Sequence, residues 1–217
     1  MTDHFIIYEG IRISLALIQK TYGSEYILWP NRRIDISGTL QRGPYWPEDF
    51  DEWVDRLRKD KGKNEAFAVL VHGGELSTRT YRYIGHMGIH SISWPSGYAT
   101  TGSVLGGDDA RGKGYGTEAK LWTQYHAFMV LGLRKLSSEV KAFNAGSLGH
   151  LLKCGYRIIG RRKAHDFHEG SFVDTIILEC FREDWESIWN EYRSSEKLPK
   201  LSEAQRRLVR RETNQKD

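Results

Sequence analysis

The sequence predicts an α+β fold in which helices flank a mostly antiparallel sheet. Short runs rich in β-branched and aromatic residues, separated by turns that contain glycine or proline, fill the middle of the chain and are typical of antiparallel strands. Segments whose apolar residues recur at helical spacing precede and follow them, which indicates amphipathic helices packed on the sheet. With 217 residues, 39% of them hydrophobic, the chain is long enough for one compact domain.

In the first half of the chain, the pattern predicts a strand, a helix and then a meander of strands. The helix, at 46–59, has Pro47 and acidic residues at its start and basic residues at its end, an order that suits the helix dipole. Gly-Gly, Ser-Thr and Trp-Pro-Ser-Gly turns favour antiparallel pairing of the strands between them. The predicted strands are 11–17, 66–71, 81–87, 89–92 and 98–105.

In the second half, the strongest pattern is a helix at 117–130. Its apolar residues, at positions i, i+1, i+4, i+7 and i+8, form one stripe, and Gly132 ends it. The later elements are strands at 136–143, 158–159 and 172–181, a short helix at 147–153, and a closing helix striped by Trp185, Ile188, Trp189 and Tyr192.

The net charge of +4 is confined to the C-terminal end. Residues 193–217 carry eight basic and four acidic residues, which leaves 24 of each in residues 1–192. We therefore expect a globular domain at 1–192 and a basic C-terminal tail at 193–217. The tail is interpreted as a solvated or fraying terminus. An RNA-binding arm is the alternative, which the lack of interleaved aromatic residues for base stacking disfavours.

Composition also excludes some classes of protein. No apolar run approaches the roughly 18 residues of a membrane-spanning helix, and the N-terminus lacks the pattern of a secretory signal. Cys154 and Cys180 are too few for a disulfide framework. We therefore expect a reduced, cytoplasmic protein without a membrane partner, in which both cysteines behave as small apolar residues.

A glycine-rich segment, residues 106–116, lies between the predicted strand 98–105 and the helix 117–130. Glycine allows the backbone N–H groups to approach a ligand closely, and a helix N-terminus attracts anions, so the arrangement is typical of a phosphate site. The spacing from Gly107 to Lys113 matches a P-loop, but Gly114 replaces the hydroxyl residue that holds Mg²⁺. The segment also lacks the third glycine of the dinucleotide-binding fingerprint. A flexible turn without a ligand is the remaining alternative.

The segment Arg-Gly-Lys-Gly-Tyr-Gly at 111–116 resembles the pyrophosphate-binding loop of the GNAT acetyltransferase superfamily, Arg/Gln-x-x-Gly-x-Gly/Ala at a strand-to-helix junction. The segment Asn-Ala-Gly-Ser at 144–147, followed by Gly155-Tyr156, resembles a signature of the ribosomal-protein-alanine acetyltransferase branch. Phe172-Val173-Asp174 and the later Trp185 resemble that branch's final strand and tryptophan. The resemblance covers most of residues 5–185.

The resemblance implies the GNAT fold, in which helices flank a strongly twisted, mostly antiparallel mixed sheet that is splayed at its central strand to admit acetyl-CoA. It also implies transfer of an acetyl group from this cosubstrate to a primary amine. It implies that Asn144 hydrogen-bonds the pantetheine arm and that the Ser147 hydroxyl protonates the departing thiolate. Helix capping by Asn144 and simple packing of Ser147 are the alternatives. The cosubstrate-binding residues implied are Val104, Leu105, Arg111, Gly112, Lys113, Gly114, Tyr115, Gly116, Thr117 and Asn144.

The general acid and base of many relatives are missing. Leu151 occupies the position at which those relatives have a tyrosine that acts as the general acid. Thr100 and Thr101 occupy the strand on which they have a glutamate that acts as the general base. His90, with an ordinary pKa near 6.5, is the expected base, directly or through water, although a half-buried structural role is its alternative. Weaker candidates are Asp108, Asp166, His168 and Glu169. A weak base favours an α-amine, whose pKa lies near 8, over a lysine near 10.4.

Further expectations concern metal, mechanism and partners. The histidine and cysteine pairs lack third and fourth ligands, so we expect no metal. No Cys or Ser stands beside a His in a nucleophile motif, which favours direct attack by the amine.

The acceptor is expected to be a protein N-terminus or a small molecule. Trp29, Trp46 and Trp53 are expected either to line the acceptor groove or to pack in the core. A non-catalytic acyl-CoA-binding module and an enzyme acting on aminoacyl-tRNA remain alternatives. Nucleic acid is not the expected partner, and a homodimer is compatible with the sequence.

Overall fold

The computed structural model describes residues 4–32, 44–60, 62–73, 79–106 and 110–213. Its strands are β1 (Ile6–Glu9), β2 (Ile13–Leu17), β3 (Glu65–Gly73), β4 (Thr80–Ser93), β5 (Tyr98–Leu105), β6 (Lys135–Lys141), β7 (Arg157–His168) and β8 (Ser171–Phe181). Its helices are α1 (Gly23–Tyr26), α2 (Leu28–Arg32), α3 (Pro47–Lys59), α4 (Tyr115–Tyr125), α5 (Ala145–Lys153), α6 (Arg182–Ser195) and α7 (Glu203–Thr213). A 3₁₀ turn (Lys20–Tyr22) precedes α1, and a π-helical turn (His126–Val130) continues α4.

The strands of the described chain form one mixed sheet in the order β1-β2-β3-β4-β5-β6-β8-β7. Antiparallel pairing joins β1 to β2, β2 to β3, β3 to β4, β6 to β8 and β7 to β8. Strand β5 pairs in parallel with β6, in register from Tyr98 to Thr100. The predicted α+β class with a mostly antiparallel mixed sheet is therefore confirmed.

The chain divides into two compact units, the first of which comprises residues 1–92 and 102–123. Its core is aromatic. Tyr22, Tyr26 and Phe50 from the helical region pack against Leu70 and Tyr83 of the sheet. Strand β3 is buried over four consecutive residues at its centre, which is why it appears in the sequence as a continuous apolar run rather than an alternating one.

The second unit comprises residues 93–101 and 124–217. Leu136, Ile176 and Leu178 of the sheet are fully buried. Trp185 and Trp189 of α6 stack with ring centroids 5.4 Å apart, so the predicted apolar stripe of this helix faces the core.

The region predicted as a basic tail is folded as far as Thr213. Helix α6 continues to Ser195, and α7 lies on α5, where the Gln205 side chain donates to the Leu152 carbonyl at 3.1 Å. Arg161 of β7 donates to the Glu212 carboxylate at 2.7 Å. The expectation of a fraying terminus therefore differs from the structure, because these polar contacts with distant residues hold the amphipathic helix in place. No helix in the described ranges is long and apolar enough to span a membrane.

Strands β4 and β7 also differ from the sequence prediction. Strand β4 is continuous where two strands were expected, because Gly88 does not interrupt its pairing with β3. Strand β7 extends over twelve residues where a two-residue strand and a histidine-rich turn were expected. Its backbone pairs with β8 as far as His168, across two register shifts.

Candidate functional site

The glycine-rich loop occupies the predicted place between a strand and a helix. Strand β5 ends at Leu105, and α4 begins at Tyr115. Gly112 and Gly114 have φ angles of 71° and 83°, a region that glycine adopts without the steric cost of a Cβ. Helix α4 begins at this loop, so the positive end of the helix dipole lies there. The segment is thus suited to an anionic ligand.

The two ends of the loop pack tightly. Gly106 donates its N–H to the Ile84 carbonyl at 2.9 Å, and the Trp29 indole covers it so closely that a Cβ would overlap the ring. At the other end, a Cβ on Gly116 would lie 2.8 Å from the Leu105 side chain. Glycine at 116 therefore allows β5 and α4 to approach each other, and glycine at 106 leaves room for the Trp29 ring.

Val104 and Leu105 lie on the half of β5 that belongs to the first unit, beside an irregularity in β4. The β3–β4 register shifts between Val69 and Leu70, and Gly85 has a φ of 140°. A Cβ on Gly85 would overlap the Val104 carbonyl oxygen and lie 2.9 Å from the Leu105 Cα. The bulge thus determines the position of the backbone at these two residues.

Asn144 and Ser147 lie in the second unit, at the start of α5. The Asn144 side-chain oxygen accepts the Ser147 backbone N–H at 2.9 Å and caps the helix. The amide NH₂ group of Asn144 is a donor that the cap does not use. Asn144 is exposed and Ser147 is half-buried. The capping role and a ligand-binding role are therefore compatible.

Thr101, on the strand where relatives place a glutamate, has a structural role. It is buried, and its hydroxyl lies 3.2 Å from the Ser137 carbonyl and 2.7 Å from the Tyr156 hydroxyl. Burial raises the pKa of Tyr156 well above its ordinary value. These groups hold β5 against β6 and offer no base near neutral pH.

His90, the expected base, lies on β4 in the first unit and is half-buried. Its ring covers Gly102, where a Cβ would lie 3.5 Å from Nε2. Burial, followed by the positive charge of Lys120, lowers the pKa of His90. The imidazole is therefore neutral at pH 7 and able to accept a proton.

The tryptophans expected near an acceptor groove fall into different environments. Trp29 stacks on Tyr83 with centroids 5.4 Å apart, and Trp53 packs 4.7 Å from the His86 ring. Trp46 is 66% exposed at the start of α3. Burial, followed by the charge of His90, lowers the pKa of His86 to about 3. Within the described residues, the Tyr83 hydroxyl and His86 Nδ1 have no hydrogen-bond partner.

The weaker base candidates lie in the second unit or outside the described residues. Asp108 lies outside the described residues. In the second unit, the Asp166 carboxylate accepts the Thr175 hydroxyl, and the His168 ring stacks on Phe143 at 4.1 Å and lies 3.9 Å from the Glu169 carboxylate. Across the described part of the chain, no group of three or more His, Cys, Asp or Glu residues is placed to hold a metal ion.

Two residues that the sequence analysis did not identify contact the loop. Glu118 is buried in the first turn of α4, and Arg12, just before β2, contacts both Glu118 and the Lys113 carbonyl. A glutamate directly after the glycine loop, inside an apolar helical stripe, was the available signal for a buried acid. Nothing in the sequence indicated its partner.

The comparison with protein families matches the acetyltransferase (GNAT) domain to residues 28–157, more than half of the chain. No curated protein matches the sequence. A ribosomal alpha-N-protein acetyltransferase, RimL, solved in complex with coenzyme A, has a similar fold, with 13% identity and a TM-score of 0.70 over 81% of this chain and 97% of that one. A spermidine N-acetyltransferase from Vibrio cholerae, solved with CoA and spermine, has 18% identity and a TM-score of 0.66 over 81% of this chain and 98% of that one. A microcin self-immunity acetyltransferase, MccE, solved with acetyl-CoA and AMP, has 17% identity and a TM-score of 0.66 over 82% of this chain and 98% of that one. At these identities the likeness concerns the fold.

Proposed function

The chain belongs to the GNAT acetyltransferase family, and we propose that it transfers the acetyl group of acetyl-CoA to a primary amine. The observation that carries this proposal is the strand–loop–helix segment with Gly112 and Gly114 in the left-handed region before α4. Similar folds have been solved with CoA or acetyl-CoA, which supports the same cosubstrate here.

In this proposal, the backbone N–H groups of residues 112–117 hold the pyrophosphate. Arg111 and Lys113 are exposed beside the loop and add positive charge, and the α4 dipole acts in the same direction. The backbone of Val104 and Leu105 pairs with the pantetheine arm, and an N–H there stabilises the negative charge that develops on the thioester oxygen. The Asn144 NH₂ group donates to a pantetheine carbonyl.

Acetyl-CoA supplies an activated thioester, and residues of this chain remove and donate the protons. His90, neutral because of its lowered pKa, removes a proton from the amine, directly or through a water. The N–C bond forms as the C–S bond breaks, and the Ser147 hydroxyl passes its proton to the departing thiolate while it takes up a proton from water. Cys180 is buried, and its thiol pKa is raised by that burial, which opposes a role as nucleophile.

The acceptor is proposed to be an α-amine of a protein N-terminus or a small-molecule amine. Burial makes His90 a weaker base than a free histidine. Such a base can activate an α-amine, of which a useful fraction is already neutral near pH 7, more readily than a lysine side chain. RimL, by its description, acts on a protein α-amine, and the spermidine enzyme acts on a polyamine.

The test combines binding with transfer. Purified protein is incubated with acetyl-labelled acetyl-CoA and with the small-molecule and macromolecular fractions of a cell extract. We expect label on one fraction, and on a free α-amine peptide in preference to an N-terminally blocked lysine peptide. Equal rates on both peptides would refute the α-amine preference. Binding without transfer would indicate an acyl-CoA-binding module instead, and label on aminoacyl-tRNA would indicate the tRNA alternative.

A matched pair of glycine variants tests the placement of the pyrophosphate. Gly114 and Gly170 have φ angles of 83° and 82°, so a valine imposes a similar backbone strain at either position. Gly114→Val should abolish CoA binding, whereas Gly170→Val, in the β7–β8 turn, should leave it unchanged. Equal CoA affinity of the two variants would refute the assignment of the loop.

A further inference from the structure

A buried carboxylate connects the glycine loop to the β1–β2 hairpin. Glu118, in the first turn of α4, has a fully buried side chain. Its Oε1 accepts the backbone N–H of Ile11 at 2.6 Å and that of Arg12 at 3.1 Å, and its Oε2 accepts the Arg12 Nε–H at 3.3 Å. A buried carboxylate is tolerated only when its oxygens are satisfied in this way.

Arg12 extends this connection into the loop. Its Nη1 donates to the Lys113 carbonyl oxygen at 2.8 Å, and its guanidinium lies over the Tyr115 ring, 5.3 Å from the centroid. One planar side chain therefore holds the carboxylate at one edge and a loop carbonyl at another. The guanidinium suits this task, because its donors have fixed directions.

The contact with Lys113 has a geometric consequence for Gly114. In a planar trans peptide, the carbonyl of one residue and the N–H of the next point in opposite directions. Because the Lys113 carbonyl points toward Arg12, the Gly114 N–H points away from it. The left-handed conformation of Gly114 depends on the orientation of this same peptide plane.

The hairpin is shaped to keep the carboxylate close. A Cβ on Gly10 would lie 2.5 Å from Glu118 Oε1 and 2.9 Å from the Trp122 indole nitrogen. Gly10 also donates its N–H to the Ile13 carbonyl at 2.8 Å, which closes the turn. Only glycine allows the turn and the carboxylate to pack at this distance.

We propose that Arg12 is a positioning residue for the cosubstrate. Held by Glu118, it fixes the Lys113–Gly114 peptide so that the Gly114 N–H is aimed at the pyrophosphate before binding. This inference rests on the proposed function and adds to it: part of the affinity for CoA originates in the β1–β2 hairpin, outside the glycine motif. Glu118 acts on the loop through Arg12.

A double-mutant cycle tests this order of action. CoA affinity is measured by calorimetry for the wild-type chain, Arg12→Gln, Glu118→Gln and the double variant. Arg12→Gln should weaken CoA binding about tenfold, the effect of losing one charge-assisted hydrogen bond. Glu118→Gln should weaken it in the wild-type background but by less than twofold when Arg12 is already replaced, because residues that act through one contact are not additive.

Two controls separate positioning from general damage. Arg162→Gln removes an arginine that is paired with Glu139 on the surface of the second unit, and it should leave CoA affinity unchanged. In turnover, Arg12→Gln should raise the KM for acetyl-CoA about tenfold and change kcat less than twofold. If Arg12→Gln does not fold, Arg12→Lys replaces it; the lysine retains the charge but cannot bond both groups, and it should also raise KM.

The outcomes distinguish the two proposals. Wild-type protein that does not bind CoA would refute the proposed function itself. Wild-type protein that binds CoA, with folded Arg12 variants within twofold of it, would refute the positioning role alone. Additive effects of Arg12→Gln and Glu118→Gln would refute the claim that Glu118 acts through Arg12.

Discussion

Replacing Gly85 with alanine should destabilise the fold and weaken acetyl-CoA binding. The new Cβ would overlap the Val104 carbonyl oxygen and lie 2.9 Å from the Leu105 Cα. Both of these are backbone atoms, so no side-chain rotation relieves the contact, and the backbone of β5 must move. The φ of 140° adds strain, because side-chain-bearing residues rarely adopt it.

The magnitude follows from these two costs. Overpacking in a buried sheet costs about 1–3 kcal/mol, and an unfavourable backbone conformation costs about 1–3 kcal/mol. We therefore expect Gly85→Ala to lower the free energy of unfolding by about 2–6 kcal/mol. For a chain of this length, that loss corresponds to a Tm lower by about 5–20 °C.

Thermal unfolding and CoA titration measure the two effects. Gly73→Ala is the matched control, because Gly73 lies on β3 of the same unit and its nearest contact for a Cβ is 4.0 Å away. The control should change Tm little. If Gly85→Ala matched Gly73→Ala in both Tm and CoA affinity, the bulge would not determine the position of the Val104–Leu105 backbone, and the reasoning would fail.

Two further predictions concern a buried histidine and a helix cap. The pKa of His86 is about 3 in the folded chain and near 6.5 when unfolded, so its contribution to stability is complete above pH 6.5 and is lost as pH falls from 6.5 toward 3. His86→Leu should therefore reduce the pH dependence of the unfolding free energy between pH 6 and 5 by about 1.4 kcal/mol per pH unit, and an unchanged slope in urea unfolding would contradict a buried, neutral His86. Asn144→Ala should lower stability by about 1 kcal/mol through loss of the cap. Asn144→Asp keeps the capping oxygen and should keep stability, yet it should raise the KM for acetyl-CoA; an unchanged KM would argue against an amide donor to pantetheine.

The elements that the sequence predicted well are those with a strong local pattern. Helix α3 has its proline, acidic start, apolar stripe and basic end within fourteen residues, and the structure places it at Pro47–Lys59. Strand β7 shows the limit of such patterns. Its second half is charged and carries little apolar signal, and it is a strand because β8 supplies backbone hydrogen bonds as far as Ser171.

The residues of the candidate site were likewise predictable only where a local sequence pattern indicates them. The loop with Gly112 and Gly114 was predictable, because glycines in sequence before a helical stripe indicate both the turn and the helix start. The Arg12–Glu118 contact joins residues 106 positions apart, and no local pattern indicates it. The fixed helix α7 was likewise missed, because its anchoring depends on Arg161 and Leu152 from other elements.

By itself, the sequence determined the class of fold, the main helices and strands, and the glycine-rich turn between β5 and α4. These properties depend on periodicity and on the backbone freedom of glycine, both of which are local. Only the tertiary structure decided which polar groups are buried and what they hold. A carboxylate such as Glu118 can leave water only where donors from a distant segment replace its hydration, and the neutral state of His86 follows from the side chains packed around it.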